Sequence, residues 1–110
     1  MTKLVNLTPH EIVLVRGDAR IVIPPSGVVA RVATARRVVA TLEVDGVEIP
    51  VNRVEFGQVE NLPEPSEGTF YLVSSLVAQA LPGREDLLVP DDTVRDERGQ
   101  IVGARALARI

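Results

Sequence analysis

The chain has 110 residues, close to the commonest size for one domain, so we expect a single domain over residues 1–110. Hydrophobic residues make up 45% of the chain and charged residues 25%, a composition that excludes a disordered or membrane-embedded protein. The formal net charge is −3 and the acidic residues are spread along the chain, so no overall positive field attracts nucleic acid.

Several locations and chemistries are excluded by what the sequence lacks. No segment approaches the roughly 20 apolar residues needed to cross a bilayer, and the first residues, MTKLVNLTPHE, lack the apolar core of a signal peptide. We therefore expect a cytoplasmic protein. The absence of cysteine removes disulfides, thiol nucleophiles and thiolate metal sites, and a single histidine, His10, excludes a multi-histidine zinc site within one chain.

The first hairpin is predicted in the segment EIVLVRGDARIVIPP. Gly17-Asp18 suits a two-residue turn with glycine in the first position, which pairs Leu14 with Ile21 and Ile12 with Ile23 on one face. The other face carries three valines, Val13, Val15 and Val22. Because both faces are apolar, we expect this hairpin to be covered on two sides, by a second sheet or by another subunit.

A second hairpin is predicted in TLEVDGVEIPV, where Asp45-Gly46 is the preferred pair for a type I′ turn. The flanking residues alternate, so Val44 pairs with Val47 and Leu42 with Ile49 on an inner face. The same register places Glu43 opposite Glu48 on the outer face, which is destabilising. Either an arginine nearby (Arg36, Arg37 or Arg53) offsets these charges, or the two glutamates face a cationic partner.

The C-terminal half predicts a third hairpin, a long loop and a short helix. Gly99 closes a turn after Asp96 in TVRDERGQIVGARAL, and ENLPEPSEG, residues 60 to 68, is the longest irregular connection. The helix begins near Ser74 or Ser75, either of which can cap it, and ends at Pro82-Gly83. Its predicted apolar stripe is made of Leu76, Val77, Ala80 and Leu81.

The strand, serine turn and helix of LVSSLVAQALPGRED suggest a binding site for a small anion. Free amides near Ser74 and Ser75 can hold a phosphate or carboxylate, and Arg84 and Arg95 follow as candidate anion contacts. The alternative interpretation is structural: a serine caps the helix, Arg84 pairs with Glu85 or Asp86, and Arg95 pairs with Asp96 or Asp92.

Other candidate chemistry is weaker in the sequence. His10, in LTPHEI, is a further candidate ligand contact, or else a turn histidine that bonds to nearby backbone. A catalytic serine at Ser74 or Ser75, with His10 and Asp86, lacks the glycines that surround a nucleophile elbow. Asp91 and Asp92 follow Pro90 as ordinary turn residues, and no spacing identifies a metal site there.

Four segments of the chain resemble a set of small proteins encoded by bacteriophages and by actinobacterial genomes: NLTPHEIVL, PPSGVVARV, LPEPSEGTFYLVSSLVAQA and GREDLLVPDDTVRDERGQIVGARAL. The resemblance covers most of the chain and is most specific from Leu62 to Leu107. It transfers no site residues. It implies a phage-type accessory protein, a class in which inhibitors and ligand-sequestering proteins are frequent and enzymes less so.

Together these observations predict a mainly β domain, a small sandwich or barrel-like sheet of hairpins with one short α-helix. We expect a non-enzymatic protein, without a cofactor, that binds or sequesters a small anionic ligand such as a nucleotide. The alternatives are an inhibitor that binds a host protein through an exposed edge or hairpin, and a small hydrolase. We also expect self-association through a hairpin.

Overall fold

A computed structural model describes residues 2–110, and within this range the protein is mainly β with one short helix. The elements in chain order are β1 (Lys3–Asn6), β2 (Ile12–Arg16), β3 (Ala19–Ile23), β4 (Arg31–Val44), β5 (Val47–Glu60), β6 (Thr69–Leu72), α1 (Ser75–Ala80), β7 (Leu87–Arg95) and β8 (Ile101–Ala108). Among these residues no helix is long and apolar enough to cross a membrane.

Six strands form one mixed sheet in the order β1-β6-β7-β8-β2-β3. The pairs β1–β6, β6–β7 and β2–β8 are parallel, whereas β7–β8 and β2–β3 are antiparallel hairpins. The sheet curls into a half-barrel, which confirms the prediction of a small barrel-like β fold with one short helix. We call this sheet, with α1 and its connecting loops, the body: residues 2–30 and 61–110.

The two hairpins of the body have the predicted turns. In β2–β3, Leu14 pairs with Ile21 and Ile12 with Ile23, and Gly17 takes a positive φ of 56° that an L-residue rarely adopts. Gly99 takes φ 79° in the turn that joins β7 to β8. The predicted cover over both faces of β2–β3 is not supplied within residues 2–110, because Ile21 and Val22, which point to opposite faces of β3, are 55% and 43% exposed.

The main core lies where α1 packs on one side of the sheet. Tyr71 and Val73 point to this side, and together with Val77 of the helix and Leu87 of β7 they are at most 5% exposed. Ser74 caps the helix as predicted, since its Oγ accepts a hydrogen bond from the Val77 amide. The helix therefore covers the apolar side chains of β6 and β7 on this side of the sheet.

The predicted helical stripe was partly wrong. Val77 is buried, but Leu76 is 46% exposed, and Ala78 is buried instead. The helix has only six residues, so it meets the sheet along less than two turns. Burying Val77 and Ala78 turns the preceding residue, Leu76, toward solvent.

The remaining strands, β4 and β5, form a separate two-stranded antiparallel hairpin of 14 residues per strand, which we call the arm. Asp45 and Gly46 have φ values of 51° and 80°, as the predicted type I′ turn requires. The predicted register is confirmed, with Leu42 opposite Ile49. The radius of gyration is 17.6 Å, against about 13 Å for a compact domain of this size, because the arm projects from the body.

The expectation that one face of this hairpin points inward was wrong. Every residue of the arm is exposed except Val32 and Val59 at its base, which pack against the core. The base is also held by the Ala30 amide, which donates to the Leu7 carbonyl, and by Asn61, whose Nδ2 donates to the Val29 carbonyl. Beyond the base, no other element of residues 2–110 covers the arm.

Candidate functional site

The serine turn lies at the start of α1, and its geometry is that of a helix cap. Ser74 is the N-cap residue, and its Oγ is 3.3 Å from the Val77 nitrogen. Ser75 is the first helical residue, and both serines are exposed. The Ser74 hydroxyl is thus already engaged with its own helix.

Arg84 is held by a carboxylate of the chain. Its Nε and Nη2 donate to the two carboxylate oxygens of Asp86 at 2.8 and 2.7 Å, and Nη2 also donates to the Pro63 carbonyl. Both side chains are largely buried, with 21% and 15% exposed. These hydrogen bonds lower the pKa of Asp86 and raise that of Arg84, so both groups stay charged in the folded protein.

The remaining candidates lie apart from this pair. Arg95 ends the nine-residue strand β7, eight residues after Leu87, and its Nη1 donates to the Gly99 carbonyl at 2.7 Å. A strand of that length spans roughly 26 Å, so Arg84 and Arg95 lie at opposite ends of β7. His10 is exposed in the turn before β2. The predicted anion site stays a prediction, but the two arginines do not converge on one ligand.

The most unusual surface of the molecule is on the arm. Side chains alternate between the two faces of a hairpin, so the register assigns each residue of the arm to a face. Near the turn, one face carries only aliphatic residues, and we call it the aliphatic face: Ala40, Leu42, Val44, Val47, Ile49 and Val51. Leu42 and Val47 are each 56% exposed, so this is an apolar patch open to solvent.

The opposite face of the arm is mixed. It carries Glu43 and Glu48 near the turn, and further toward the base Val38, Val54 and Phe56, which are 38% to 60% exposed. The register shifts by one residue between Val38 and Ala40, a β-bulge that adds local twist. Neither face is closed off by the body.

Charge is divided along the length of the arm. The outer part, residues 40–51, which we call the tip, contains Glu43, Asp45 and Glu48 and no basic residue. The middle, residues 35–38 and 52–55, contains three arginines and one glutamate, Glu55. Arg37 pairs with Glu55 at 3.1 Å, whereas Arg53 has no ion pair within residues 2–110. The tip therefore has a formal charge of −3 and the middle of +2.

A shallow pocket of about 360 Å³ lies on the body where β2, β3 and β8 meet. Its walls are mostly apolar, with contributions from Ile12 and Val13 of β2 and from residues 101–104 of β8. Arg20 and Glu11 stand at its rim, and neither forms an ion pair in the part of the chain that is described. Gly103 allows the close approach of β8 to β2, since a Cβ there would lie 3.1 Å from Val15 Cγ2.

Sequence reasoning missed a buried polar residue, Asn6. It is 1% exposed, and its Nδ2 donates to the carbonyls of His10 and Ile23 at 2.8 and 3.1 Å. Its Oδ1 accepts from the amide and the hydroxyl of Thr8 at 2.9 and 2.6 Å. Asn6 thus ties the turn before β2 to the end of β3. The signal available was an asparagine at the end of an apolar segment in the sequence Asn-Leu-Thr-Pro, residues 6–9.

Within residues 2–110 no group of three or more His, Asp or Glu side chains is arranged to hold a metal ion. Comparison with known proteins gives no further guidance, since no family model, curated protein or solved structure matches this chain. Among residues 2–110, the arm presents the largest group of exposed large apolar side chains.

Proposed function

We propose that this protein is a non-enzymatic binding protein that acts by docking its arm against another protein surface. The observation that supports the proposal is the solvent-exposed aliphatic face at the tip of a hairpin that no other element among residues 2–110 covers. A docking role also suits the accessory setting that the resemblance to phage proteins implies. It corresponds to the alternative in which an exposed hairpin engages a partner.

The arm lacks the packing that a two-stranded sheet normally needs to be stable. A two-stranded hairpin alone is only marginally stable in water, and a third strand or a packed face is normally needed. A large contiguous patch of exposed apolar side chains usually marks an interaction site, whereas single exposed apolar residues are common on any protein surface. The tip combines both properties, because in the described range its two strands pair only with each other and its aliphatic face meets no other element.

Accessibility of an introduced thiol tests this proposal, because the chain contains no cysteine of its own. Val47→Cys places a thiol on the aliphatic face, and Asp18→Cys places one on an exposed turn of the body. Maleimide labelling is then followed in a lysate of the organism that encodes the protein and in dilute purified protein. If nine-tenths of the arms are docked in the lysate, labelling at position 47 slows about tenfold, since only the free fraction reacts.

Labelling at position 18 should be equally fast in both samples, which controls for lysate chemistry. Equal rates at position 47 in lysate and in dilute protein contradict the docking proposal. A slow rate at both positions indicates that the whole molecule is shielded and likewise contradicts a specific role for the arm.

A second candidate function, the binding of a small anionic ligand such as a nucleotide, is favoured by the β2–β3–β8 pocket. Its volume is in the range of small-molecule sites, its walls are mostly apolar, and Arg20 offers a guanidinium at the rim that has no ion pair within residues 2–110. An anionic group held by Arg20 with an apolar or aromatic body over Ile12 and Ile101 fits this lining. Losing the arginine contact should weaken binding about ten- to hundredfold.

Calorimetric titration of cyclic and linear nucleotides into the parent and Arg20→Ala proteins tests this second candidate. Arg16→Ala is the matched control, since Arg16 is an exposed arginine of the same hairpin that does not line the pocket. We expect binding to be weakened by the first substitution alone. Absence of binding to the parent below millimolar concentration excludes this function.

A further inference from the structure

The tip of the arm has an open edge along β4. The two-residue turn makes Val44 and Val47 a hydrogen-bonded pair, and such pairs alternate with non-hydrogen-bonded pairs along an antiparallel ladder. The backbone N–H and C=O groups of Thr41 and Glu43 therefore point away from β5. Among residues 2–110, β4 pairs with β5 alone, so these outward groups have no strand partner.

The outer edge of β5 is blocked at the equivalent place. By the same register, Glu48 lies opposite Glu43 and Pro50 opposite Thr41, so the backbones of Glu48 and Pro50 also point outward. Proline has no N–H to donate to a further strand, and prolines on edge strands commonly prevent strand addition. Residues 40–44 of β4 contain no proline. The tip is therefore protected on one edge and open on the other.

We propose that β4 accepts, along residues 40–44, an antiparallel strand of a partner protein in which aliphatic and basic side chains alternate. This inference rests on the proposed docking function and names how the partner is held and which residues it presents. Strand addition supplies the third strand that the hairpin lacks, and the remainder of the partner lies over the aliphatic face. The β-bulge between Val38 and Ala40 limits the open segment to the tip.

The aliphatic half of the alternation follows from one face of the tip. Leu42 and Val44 are 56% and 52% exposed on the aliphatic face, next to the open edge. Partner residues that lie beside these two side chains bury apolar surface if they are themselves aliphatic. Every second residue of the added strand is therefore expected to be valine, isoleucine or leucine.

The basic half of the alternation follows from the opposite face. Glu43 has no ion pair within residues 2–110, and Glu48 lies directly across the ladder from it. Like charges in directly opposite positions destabilise a sheet, whereas an opposite charge on the neighbouring strand stabilises it. A lysine or arginine of the added strand, beside Glu43, offsets this repulsion.

The net charge of the tip gives the same preference over a longer range. Residues 40–51 carry a formal charge of −3 and include no basic residue. Within about 8 Å, screening at physiological salt leaves much of the attraction for a cationic strand. The arginines of the middle stand nearer the base, beyond the β-bulge, so a basic strand is drawn to the tip rather than along the whole arm.

A synthetic peptide of alternating valine and lysine, capped at both ends, is the probe. We expect it to bind the purified protein with a dissociation constant below about 1 mM, since main-chain hydrogen bonds and aliphatic contacts offset the cost of ordering a short chain. With peptide at about ten times this constant, hydrogen exchange at the Thr41 and Glu43 amides should slow about tenfold, because only the free fraction exchanges. The outward amide of Glu48 is the internal control and should exchange as before.

Backbone methylation of the peptide tests strand addition directly. When a lysine lies beside Glu43 in an antiparallel strand, the lysine amides point to β4 and the valine amides point away. N-methylation of the lysine amides should abolish binding, whereas N-methylation of the valine amides should leave it nearly unchanged. Equal binding of all three peptides, or loss of binding on methylation of the valine amides alone, overturns the proposed strand addition.

Substitutions in the arm separate the backbone contribution from the charge. Thr41→Pro gives β4 the blocked edge that Pro50 gives β5, without removing a hydrogen bond between the two strands, and should weaken binding about tenfold. Glu43→Lys should weaken binding of the lysine peptide about tenfold and favour a peptide of alternating valine and glutamate. The matched control, Glu67→Lys on the body, should bind both peptides like the parent. Exchange at the Leu42 amide, which bonds within the arm, verifies that each variant keeps the hairpin.

The remaining outcomes separate this inference from the docking function. Absence of binding at about 1 mM peptide, slowed exchange at the Glu48 amide as well, or equal affinity for the lysine and glutamate peptides overturns the strand-addition inference. If position 47 is nevertheless protected in the native lysate, the docking function stands with a partner that is held in another way. If it is protected nowhere, both fail.

Discussion

The body and the arm are built from the same residue types but differ in what their apolar side chains meet. Leu87 of β7 is 2% exposed, packed with Tyr71, Val73 and the helix, whereas Leu42 of the arm is 56% exposed. Both lie in strands of alternating or aliphatic sequence with a well-defined register. Alternation thus predicts strand pairing in both regions, while burial depends on elements that come from elsewhere in the chain.

The arm is therefore a strand pair whose apolar side chains no other element of residues 2–110 covers. Its hairpin register and turn are determined locally, because Asp45-Gly46 and the cross-strand pairs need no other element. Its stability as a straight projection is not determined locally, since exposed two-stranded sheets are marginal. The comparison predicts that equal substitutions in the two regions have unequal consequences.

The largest expected difference is between two leucines. Leu87→Ala should lower the free energy of unfolding by about 2–5 kcal/mol, because it removes a packed side chain and leaves a cavity in the main core. Leu42→Ala should change it by less than about 0.5 kcal/mol, because the side chain is already in water. Urea denaturation of dilute protein measures both. Equal losses would mean that the arm is packed against the body in solution.

Two asparagines make the next comparison. Asn6→Ala should cost about 1–3 kcal/mol, because it removes a fully buried side chain and leaves the partly buried carbonyl and amide groups that it now satisfies without a partner. Asn52→Ala on the arm should be nearly neutral, since Asn52 is exposed and makes no side-chain hydrogen bond within residues 2–110. Thermal melting of both variants is the measurement. A small effect at Asn6 would show that water replaces its hydrogen bonds.

These residues also show which features of the fold the sequence predicts and which it does not. The mainly β fold, both body hairpins, the registers of β2–β3 and β4–β5, and the helix cap at Ser74 follow from turn chemistry and alternation, which act over a few residues. The burial of Asn6 and the exposure of Leu42 cannot be predicted from these local patterns. Each depends on whether a segment distant in the sequence packs against that residue. The arm has the same alternating pattern as a core hairpin, so no local signal separates the two.

The candidate site was harder to predict for the same reason. Ser74, Ser75, Arg84 and Arg95 are close in sequence, but a nine-residue strand carries Arg95 away from the others, and Arg84 is engaged by Asp86. The alternative pairing of Arg84 with Asp86 was readable from their spacing. The β2–β3–β8 pocket was not, because it brings Arg20 beside residues 101–104 of β8.

Two ion pairs give the third comparison. Asp86→Asn should cost about 1.5–3 kcal/mol at neutral pH, because the Arg84–Asp86 pair is bidentate and mostly buried. Glu55→Gln removes the arm's Arg37–Glu55 pair, which is exposed, and should cost less than about 1 kcal/mol. Chemical denaturation of both variants and the parent at neutral pH measures the two costs.

The pH dependence of the first cost has a definite sign. Arg84 lowers the pKa of Asp86 in the folded state, so the pair stabilises the protein above the ordinary aspartate pKa of about 4. This stabilisation is lost as pH falls below that value and through the lowered pKa. The difference between parent and Asp86→Asn should therefore shrink in acid. A difference that is constant down to about pH 2 would contradict a charged pair.

The smallest expected effect on unfolding separates two glycines with the same backbone geometry. Gly46 of the arm and Gly99 of the body have φ values of 80° and 79°, which valine resists, and neither has an atom within 4 Å of an added Cβ. Gly99→Val strains the turn between two strands of the body sheet, so it should lower the free energy of unfolding by about 1–2 kcal/mol.

From sequence alone, Gly46→Val is expected to be strongly destabilising. The position of Gly46 at an exposed tip changes that expectation, because a frayed arm removes few contacts from the body, and the loss should stay below about 0.5 kcal/mol. The substitution should instead abolish the self-association through a hairpin that the sequence predicts, since it disorders the turn that aligns the aliphatic face. Melting curves of dilute protein and light scattering of concentrated protein measure the two effects. Equal melting shifts for the two variants would mean that the arm and the body unfold as one cooperative unit, and unchanged association of Gly46→Val would remove the tip from the interface.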